Sequence, residues 1–244
     1  GAVLCPGGIL LIDTRASHRQ AQELERSLDV FRLPVRWVIN THHHWDHTFG
    51  NAVFGGSAIW GHARCADALR EYGEKMRDAV VARAPDHAAE LGEVTIVPPK
   101  FTFTDESKVS FGDREVILRH LGRGHTDNDV AVFVSDAGVV FAGDLIEEGA
   151  PPSFNDAFPL EWPDTTAALA AVSGGVVVPG HGSVVDAAFI NTQQQELAEV
   201  ADLARERHAE GMTPEAAAKA GGPYPSETLE TAFVRAWNEL REAP

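Results

Sequence analysis

The sequence predicts an α/β protein whose strands and helices alternate along the chain. Apolar runs of four or five residues, such as Gly8–Ile12 and Val35–Ile39, have the length of buried strands. Longer stretches carry apolar residues at helical spacing between and after these runs. The 244 residues are 44% hydrophobic and 23% charged, which is typical of a globular protein with a sizeable core. Sheets covered by helices are the architecture that this order of elements favours.

The first half of the chain predicts three strands separated by helices. The strands are expected at residues 8–12, 35–39 and 57–60. A helical pattern begins at Ser17 and is stopped by Pro34, and a second helix is expected over residues 62–83, where Pro85 ends it. Pairs of β-forming residues follow within residues 93–110.

The second half predicts further strands and ends in helices. Strands are expected at residues 115–119, 130–134, 139–142 and 176–178, and the turn at residues 135–138 predicts a hairpin. Residues 149–163 are predicted to be irregular, and helices are expected at residues 165–171, 187–207 and 226–242. Because no repeat or linker is visible, we predict one domain over residues 1–244, with a helical tail from about residue 187.

Composition excludes several functional classes. Lys and Arg number 20 and Asp and Glu number 36, so the formal net charge is −16, which disfavours a general nucleic-acid binder. No apolar run approaches the roughly 18 residues of a membrane span. Two cysteines, Cys5 and Cys65, cannot form a disulfide framework. No signal peptide is evident, so we expect a cytoplasmic protein acting on a small-molecule substrate, of open oligomeric state.

The most informative segment is the histidine-rich run at residues 41–47, directly after a predicted strand. In extended backbone, His42 and His44 lie on one side, whereas the adjacent Asp46 and His47 point in different directions. The run therefore offers two ligands to one ion and two to a neighbouring ion. Imidazole and carboxylate suit zinc, and also iron or manganese. The alternative interpretation is a solvated loop or an adventitious metal trap.

Three later residues repeat this association of polar donors with strands. His125 lies between two predicted strands, and Asp144 and His181 each follow an apolar run. Glycines stand beside each of them and allow close backbone approach. Surface histidines scattered at random would not show this pattern, so the three residues are candidate ligands.

These residues resemble the metallo-β-lactamase-fold superfamily of metallohydrolases. Its motif HxHxDH is matched by His42, His44, Asp46 and His47, and its later ligands by His125, Asp144 and His181. The resemblance covers about residues 8–185 and implies a four-layer αββα sandwich of two mixed β-sheets flanked by helices. It also implies two zinc ions, the first held by His42, His44 and His125 and the second by Asp46, His47 and His181. Asp144 would bridge the two ions.

The reaction that this resemblance implies is hydrolysis at a carbonyl of a small ester, thioester, lactone or amide. A hydroxide bridging the two metals would be the nucleophile, since metals lower the pKa of bound water. One metal would stabilise the oxyanion and the other the leaving group. Asp46 and Asp144 are the candidate catalytic residues, Asp46 orienting the nucleophile or relaying a proton.

Asp144 also indicates the branch of the superfamily. Dedicated β-lactamases generally lack a bridging Asp at this position, whereas glyoxalase II-like thioesterases, lactonases and phosphodiesterases share it. We therefore expect the glyoxalase II-like branch, with at most weak β-lactamase activity. Two alternatives to the hydrolase stay open. One is a mononuclear iron oxidoreductase that resembles persulfide dioxygenases, and the other is a metal-binding protein without catalysis.

Several neighbouring residues have two readings each. Asp13 either orients a ligand or caps a strand end, and His62 either orients a ligand or begins a helix. Asp127 and Asp129 either tune the pocket or cap a loop. Four aromatic residues either line a substrate wall or pack in the core: Trp60, Phe154, Phe158 and Trp162.

Overall fold

Ten strands and eight α-helices make up the part of the chain that the computed structural model describes, residues 1–242 with the side chain of Glu242 left out. The strands are β1 Ala2–Cys5, β2 Gly8–Ile12, β3 Val35–Ile39, β4 Ala58–His62, β5 Phe101–Phe103, β6 Glu106–Phe111, β7 Arg114–Arg119, β8 Ala131–Val134, β9 Val139–Glu147 and β10 Val176–His181. The helices are α1 His18–Leu28, α2 Trp45–Thr48, α3 Ala63–Arg83, α4 Ala88–Gly92, α5 Trp162–Val172, α6 Ala187–Ala209, α7 Pro214–Lys219 and α8 Ser226–Glu242.

The first sheet has five strands in the order β1-β2-β3-β4-β5. β1 and β2 are antiparallel and the remaining pairs are parallel, so the sheet is mixed. Ser17 caps α1 by accepting a hydrogen bond from the backbone N–H of Gln20. α1 then buries Ala21 and Leu28 against Ile9 of β2 and Val38 of β3. This core holds the end of β3 rigidly at the point where the histidine-rich run begins.

The second sheet also has five strands, in the order β10-β9-β8-β7-β6. β6 and β7 are antiparallel, whereas β9 and β10 are parallel, so this sheet is mixed as well. All four residues of β8 are buried, and eight of the nine residues of β9 are buried too. β8 is a continuous apolar run, as strands buried on both faces commonly are, whereas β9 also buries Asp144 and Glu147.

Two compact units are distinguished by their internal contacts. The first comprises residues 1–120 with Val134–Asp136, and the second comprises Leu121–Phe133 and the chain from Ala137 onward. The first unit holds β1 to β7, and the second holds β9, β10 and the helices from α5 to α8. The prediction of one domain over residues 1–244 stays a prediction, and residues 243–244 of its helical tail lie outside the described residues.

Two strands extend further than their apolar runs predict, and this corrects the expected placement of two ligands. β9 continues from the expected end at residue 142 through Asp144 to Glu147, so Asp144 lies inside a strand. β10 continues from residue 178 to His181, with register shifts on either side of Pro179. Asp144 and His181 are accommodated within these strands, because each has a polar partner within the second unit.

Other elements were not predicted. β1 alternates exposed and buried residues, and α7 is a short helix with Thr213 as its N-cap and Pro214 in its first turn. Of the β-forming residues noted within residues 93–110, Val94 to Ile96 lie outside any strand, whereas Phe101–Phe103 forms β5. Over residues 1–242, none of the helices combines the length and the apolar character that crossing a membrane would require.

Candidate metal centre

The histidine-rich run leaves the end of β3 and forms the short helix α2. The rings of His42 and His44 have centroids 4.6 Å apart, and the rings of His42 and His47 have centroids 4.3 Å apart. His42 and His47 are buried, whereas His44 and Asp46 are partly exposed. The first unit therefore gathers three imidazoles at one strand end, with His47 close to His42 as well.

Asp13 orients one of these imidazoles. Its carboxylate accepts hydrogen bonds of 2.8 Å from both the backbone N–H and the hydroxyl of Thr41. The same carboxylate lies 2.9 Å from Nδ1 of His47. Because a carboxylate accepts, Nδ1 carries the proton and the lone pair of Nε2 remains for a metal. Nε2 of His47 lies 3.6 Å from the carboxylate of Asp46.

The backbone at Asp13 has the positive φ of 59°, a conformation that non-glycine residues seldom adopt. A hydrogen bond holds this conformation at the end of β2, where the backbone N–H of Asp13 donates to the carbonyl of Ile39 in β3. Strain that is fixed in this way is common at functional sites. Of the two readings of Asp13, ligand orientation is the one that its contacts support.

A buried polar network beneath the run was not predicted from the sequence. The carbonyl of His47 accepts from the backbone N–H of Thr14 at 2.8 Å, and the Thr14 hydroxyl lies 3.1 Å from the same carbonyl. That hydroxyl donates to Oδ1 of Asn51 at 2.8 Å, and Asn51 exchanges hydrogen bonds with Asn40. Networks that are fully satisfied in this way fix a unique local geometry. The only sequence signal was three polar residues close to the motif.

Asp144 lies between two imidazoles in the second unit. Its Oδ2 is 3.5 Å from Nε2 of His125 and 3.5 Å from Nε2 of His181. Asp144 and His125 are buried, with 5% and 1% of their surfaces exposed, whereas His181 is exposed. One carboxylate oxygen that faces two imidazole nitrogens at equal distance has the arrangement of a carboxylate shared between two ligand sets.

Gly180 makes this arrangement possible. A Cβ atom at this position would lie 1.8 Å from Oδ1 of Asp144 and 2.9 Å from the carbonyl carbon of Gly143. No side chain can occupy that space, so β10 passes Asp144 closely only because residue 180 is glycine. The prediction that glycines permit close approach at the ligands is confirmed at this position.

The donors fit a divalent transition metal. Each of the seven predicted ligands belongs to a group of His and Asp side chains whose donor atoms lie close enough to hold a metal ion. Imidazole nitrogen with carboxylate oxygen is a donor set for zinc, iron or manganese. Neither cysteine contributes to these groups, and Cys5 and Cys65 form no disulfide.

Most of the neighbouring residues for which two roles were considered have a structural role. Asp129 accepts from both the N–H and the hydroxyl of Thr126 and therefore caps a loop. Nδ1 of His62 accepts from the backbone N–H of Arg64 at the start of α3. Phe154 and Trp162 are buried against each other, with ring centroids 5.3 Å apart. These two aromatic rings pack in the core and are not a substrate wall.

Two mixed sheets flanked by helices, with His and Asp residues at strand ends, define an α/β protein with a candidate metal centre. The sequence profile of the Metallo-beta-lactamase superfamily matches residues 5–200. The chain therefore belongs to this superfamily, and the α/β fold class implied by the resemblance is confirmed.

Individual relatives are more distant. A metallo-beta-lactamase type 2 of Bacillus cereus is 24% identical over 185 residues, which cover 73% of this chain and 64% of the relative. The alpha subunit of 2,4-dinitroanisole O-demethylase of Nocardioides sp. is 26% identical over 180 residues, covering 71% of this chain and 49% of the relative. The chain thus matches less than two thirds of the length of these relatives.

Solved structures share the fold at low sequence identity. A metallo-beta-lactamase from Pontibacter korlensis superimposes with a TM-score of 0.65 at 22% identity, covering 81% of this chain and 85% of that protein. The DIM-1 metallo-beta-lactamase gives a TM-score of 0.64 at 18% identity. At this level of identity the likeness defines the fold and leaves the reaction to be argued from the residues.

Proposed function

We propose that this protein is a dinuclear zinc hydrolase that cleaves a small ester, thioester, lactone or amide. The observation that carries the proposal is the position of Asp144, whose Oδ2 lies 3.5 Å from an imidazole nitrogen on each side. A shared carboxylate offsets the repulsion between two neighbouring cations. Membership of the superfamily and the seven His and Asp donors support the same conclusion.

The proposed division of ligands follows the superfamily motif. His42, His44 and His125 hold the first ion, and Asp46, His47 and His181 hold the second, with Asp144 shared. When bound, two zinc ions supply an activated water and a Lewis acid for the carbonyl oxygen.

The residues of this chain contribute orientation and proton transfer. Asp13 holds the His47 ring through Nδ1, and the network of Thr14, Asn40 and Asn51 fixes the backbone beneath it. Asp46 is partly exposed, so its carboxylate can accept a proton from the nucleophilic water and pass it to the leaving group.

We further propose that the preferred substrate is not a β-lactam, although the relatives from Bacillus and Bacteroides are metallo-beta-lactamases. Asp144 occupies the position at which dedicated β-lactamases generally lack a bridging carboxylate, and both cysteines lie outside the metal-binding groups. The glyoxalase II-like branch shares this Asp. The formal charge of −16 favours a small-molecule substrate over a nucleic acid.

One observation favours a second candidate, a mononuclear iron oxidoreductase. His125 and Asp144 stand in one group with His42 and His44, which offers two histidines and one carboxylate to a single ion. This is the donor set of many non-haem iron enzymes. Asp46, His47 and His181 form a separate group that then requires another explanation, so we favour the dinuclear hydrolase.

A hydrolysis panel tests the proposal. The purified protein is assayed on a thioester, a lactone, a carboxylic ester, nitrocefin and an aryl methyl ether, the last because of the Nocardioides relative. We expect turnover of a thioester, lactone or ester, and a loss of about a hundredfold or more in Asp46→Asn. The control is Asp136→Asn, which removes an exposed carboxylate that pairs with Arg114.

The panel separates the two candidates. Hydrolysis of nitrocefin alone would contradict the proposed substrate class. No hydrolysis on any substrate, together with dioxygen uptake in the presence of a persulfide, would contradict the hydrolase and support the iron oxidoreductase.

A further inference from the structure

The metal ligand His125 is held from its far side by a chain of hydrogen bonds within the second unit. Nδ1 of His125 lies 3.2 Å from the backbone carbonyl of Ser153. A carbonyl can only accept a hydrogen bond, so Nδ1 carries the proton. In the neutral ring the lone pair is then on Nε2, the nitrogen that faces Asp144.

Glu147 fixes the Ser153 backbone that makes this contact. Its Oε1 accepts a hydrogen bond of 3.0 Å from the backbone N–H of Ser153. The same Oε1 lies 3.7 Å from Nδ1 of His125. Glu147 is buried, with 8% of its surface exposed, so water competes little for its bond to Ser153.

Gln193 of α6 fixes Glu147 in turn. Its Oε1 accepts from the backbone N–H of Glu147 at 3.1 Å, and its Nε2 donates to the carbonyl of Leu145 at 2.9 Å. The two bonds hold β9 on both sides of Ile146. Gln193 is only 2% exposed, so water does not compete for these bonds.

We propose that Glu147 and Gln193 are positioning residues for His125 and that α6, in the helical tail, thereby sets the affinity of the metal centre. The proposal rests on the proposed function for the role of His125 as a ligand. Partners that orient a ligating histidine through its second nitrogen commonly change metal affinity by 10- to 100-fold when they are removed.

The surroundings of Glu147 allow the side chain to be truncated. A cavity of about 250 Å³ adjoins it and is also lined by Gln193, Glu196 and Tyr224. Water can fill the space left by Glu147→Ala, so the variant is expected to fold. Glu196 provides a matched control, because it is a carboxylate of the same cavity that accepts from Tyr224 and has no contact with Ser153 in this chain of bonds.

The test measures the His125 tautomer and the zinc affinity, neither of which depends on a substrate. The tautomer is read from the ¹⁵N shifts of the imidazole in the metal-free protein, and the affinity from competition with a chelator. In Glu147→Ala we expect a mixture of tautomers and a loss of zinc affinity of about tenfold. Gln193→Leu is expected to change both in the same direction.

Two further variants make the result specific. Glu147→Gln keeps an oxygen that accepts from Ser153 and is expected to retain the wild-type tautomer and an affinity within about threefold. Glu196→Ala is expected to match the wild type. An unchanged tautomer and affinity in Glu147→Ala would overturn the proposal, and so would equal losses in Glu147→Ala and Glu196→Ala.

The outcome is separable from that of the proposed function. If the hydrolysis panel is blank but Glu147→Ala still alters the tautomer and zinc affinity, only the proposed reaction fails. If hydrolysis is found but these two quantities do not change, only the positioning role fails.

Discussion

Asp13 shows how a single residue can combine a strained backbone with three hydrogen bonds. Its φ of 59° is unfavourable for a residue with a side chain, yet this conformation turns the carboxylate toward Thr41 and His47. Aspartate tolerates the left-handed region better than most residues, because its short side chain can bond locally. The sequence placed Asp13 at a strand end, but it could not distinguish a cap from a residue that orients a ligand.

Removing this carboxylate should weaken metal binding more than it weakens the fold. In Asp13→Ala, Nδ1 of His47 loses its acceptor and the ring can turn or change tautomer. We expect zinc affinity to fall by 10- to 100-fold, measured by chelator competition. Asp136→Ala, which removes an exposed carboxylate, is the control and should bind zinc as the wild type does. Equal zinc affinity in all three proteins would contradict the orienting role.

The bounds of a strand were predictable where the whole strand is an apolar run. They were less predictable where the strand continues through a buried polar residue. β2 and β3 match their predicted bounds because each is a short run of mostly apolar residues. β9 runs past its predicted end because Asp144 and Glu147 are buried with partners that the sequence does not reveal. β1 alternates in burial, with Val3 and Cys5 buried, but all four of its residues are apolar, so its sequence carries no alternating signal.

The candidate site divides in the same way. The seven candidate ligands could be named from residue type and from the superfamily motif that they resemble, because metal chemistry restricts the donors to a few side chains. The residues that hold them in place could not, since Thr14, Asn51, Glu147 and Gln193 act through backbone groups that any sequence offers. Their roles depend on contacts between residues far apart in the chain.

Because β10 approaches β9 closely at Gly180, adding one methyl group there is expected to disturb Asp144. In Gly180→Ala the added carbon would meet Oδ1 of Asp144, so either the carboxylate or the strand must move. We expect zinc affinity to fall by about tenfold or more, with a loss of thermal stability of several degrees.

Gly174→Ala is the matched control for this substitution. Gly174 precedes the same strand, and a Cβ there meets no atom within 4 Å. This variant should retain zinc binding and stability. If Gly180→Ala behaves like Gly174→Ala, the space beside Asp144 is not as restricted as we describe.

At the scale of the whole molecule, a half-buried carboxylate links stability to pH. Burial raises the pKa of Glu239 in α8 to about 7, and the charge of Glu161 adds to the rise. The backbone N–H of Leu160 and the guanidinium groups of Arg123 and Arg235 oppose it. Since the pKa in the folded state is raised, the stabilising contribution is complete below the ordinary pKa of 4.5 and is lost as the pH rises through about 7.

Glu239→Gln should remove this pH dependence. The amide cannot ionise and its oxygen can still accept from Leu160, so we expect the variant to melt a few degrees above the wild type at pH 8 and alongside it near pH 4.5. Thermal melts from pH 4.5 to 8 measure the difference. Glu230→Gln, at an exposed position of the same helix, should show none. A difference that does not vary with pH would contradict this account.

The shared carboxylate of Asp144 is the central claim, and the metal content of the protein tests it most directly. Protein purified without added metal is analysed for zinc, iron and manganese, beside an Asp144→Ala variant whose fold is checked by circular dichroism. We predict about two zinc ions per chain in the wild type and about one or fewer in the variant. About one iron per chain in the wild type, or about two zinc ions in both proteins, would contradict the dinuclear centre proposed here.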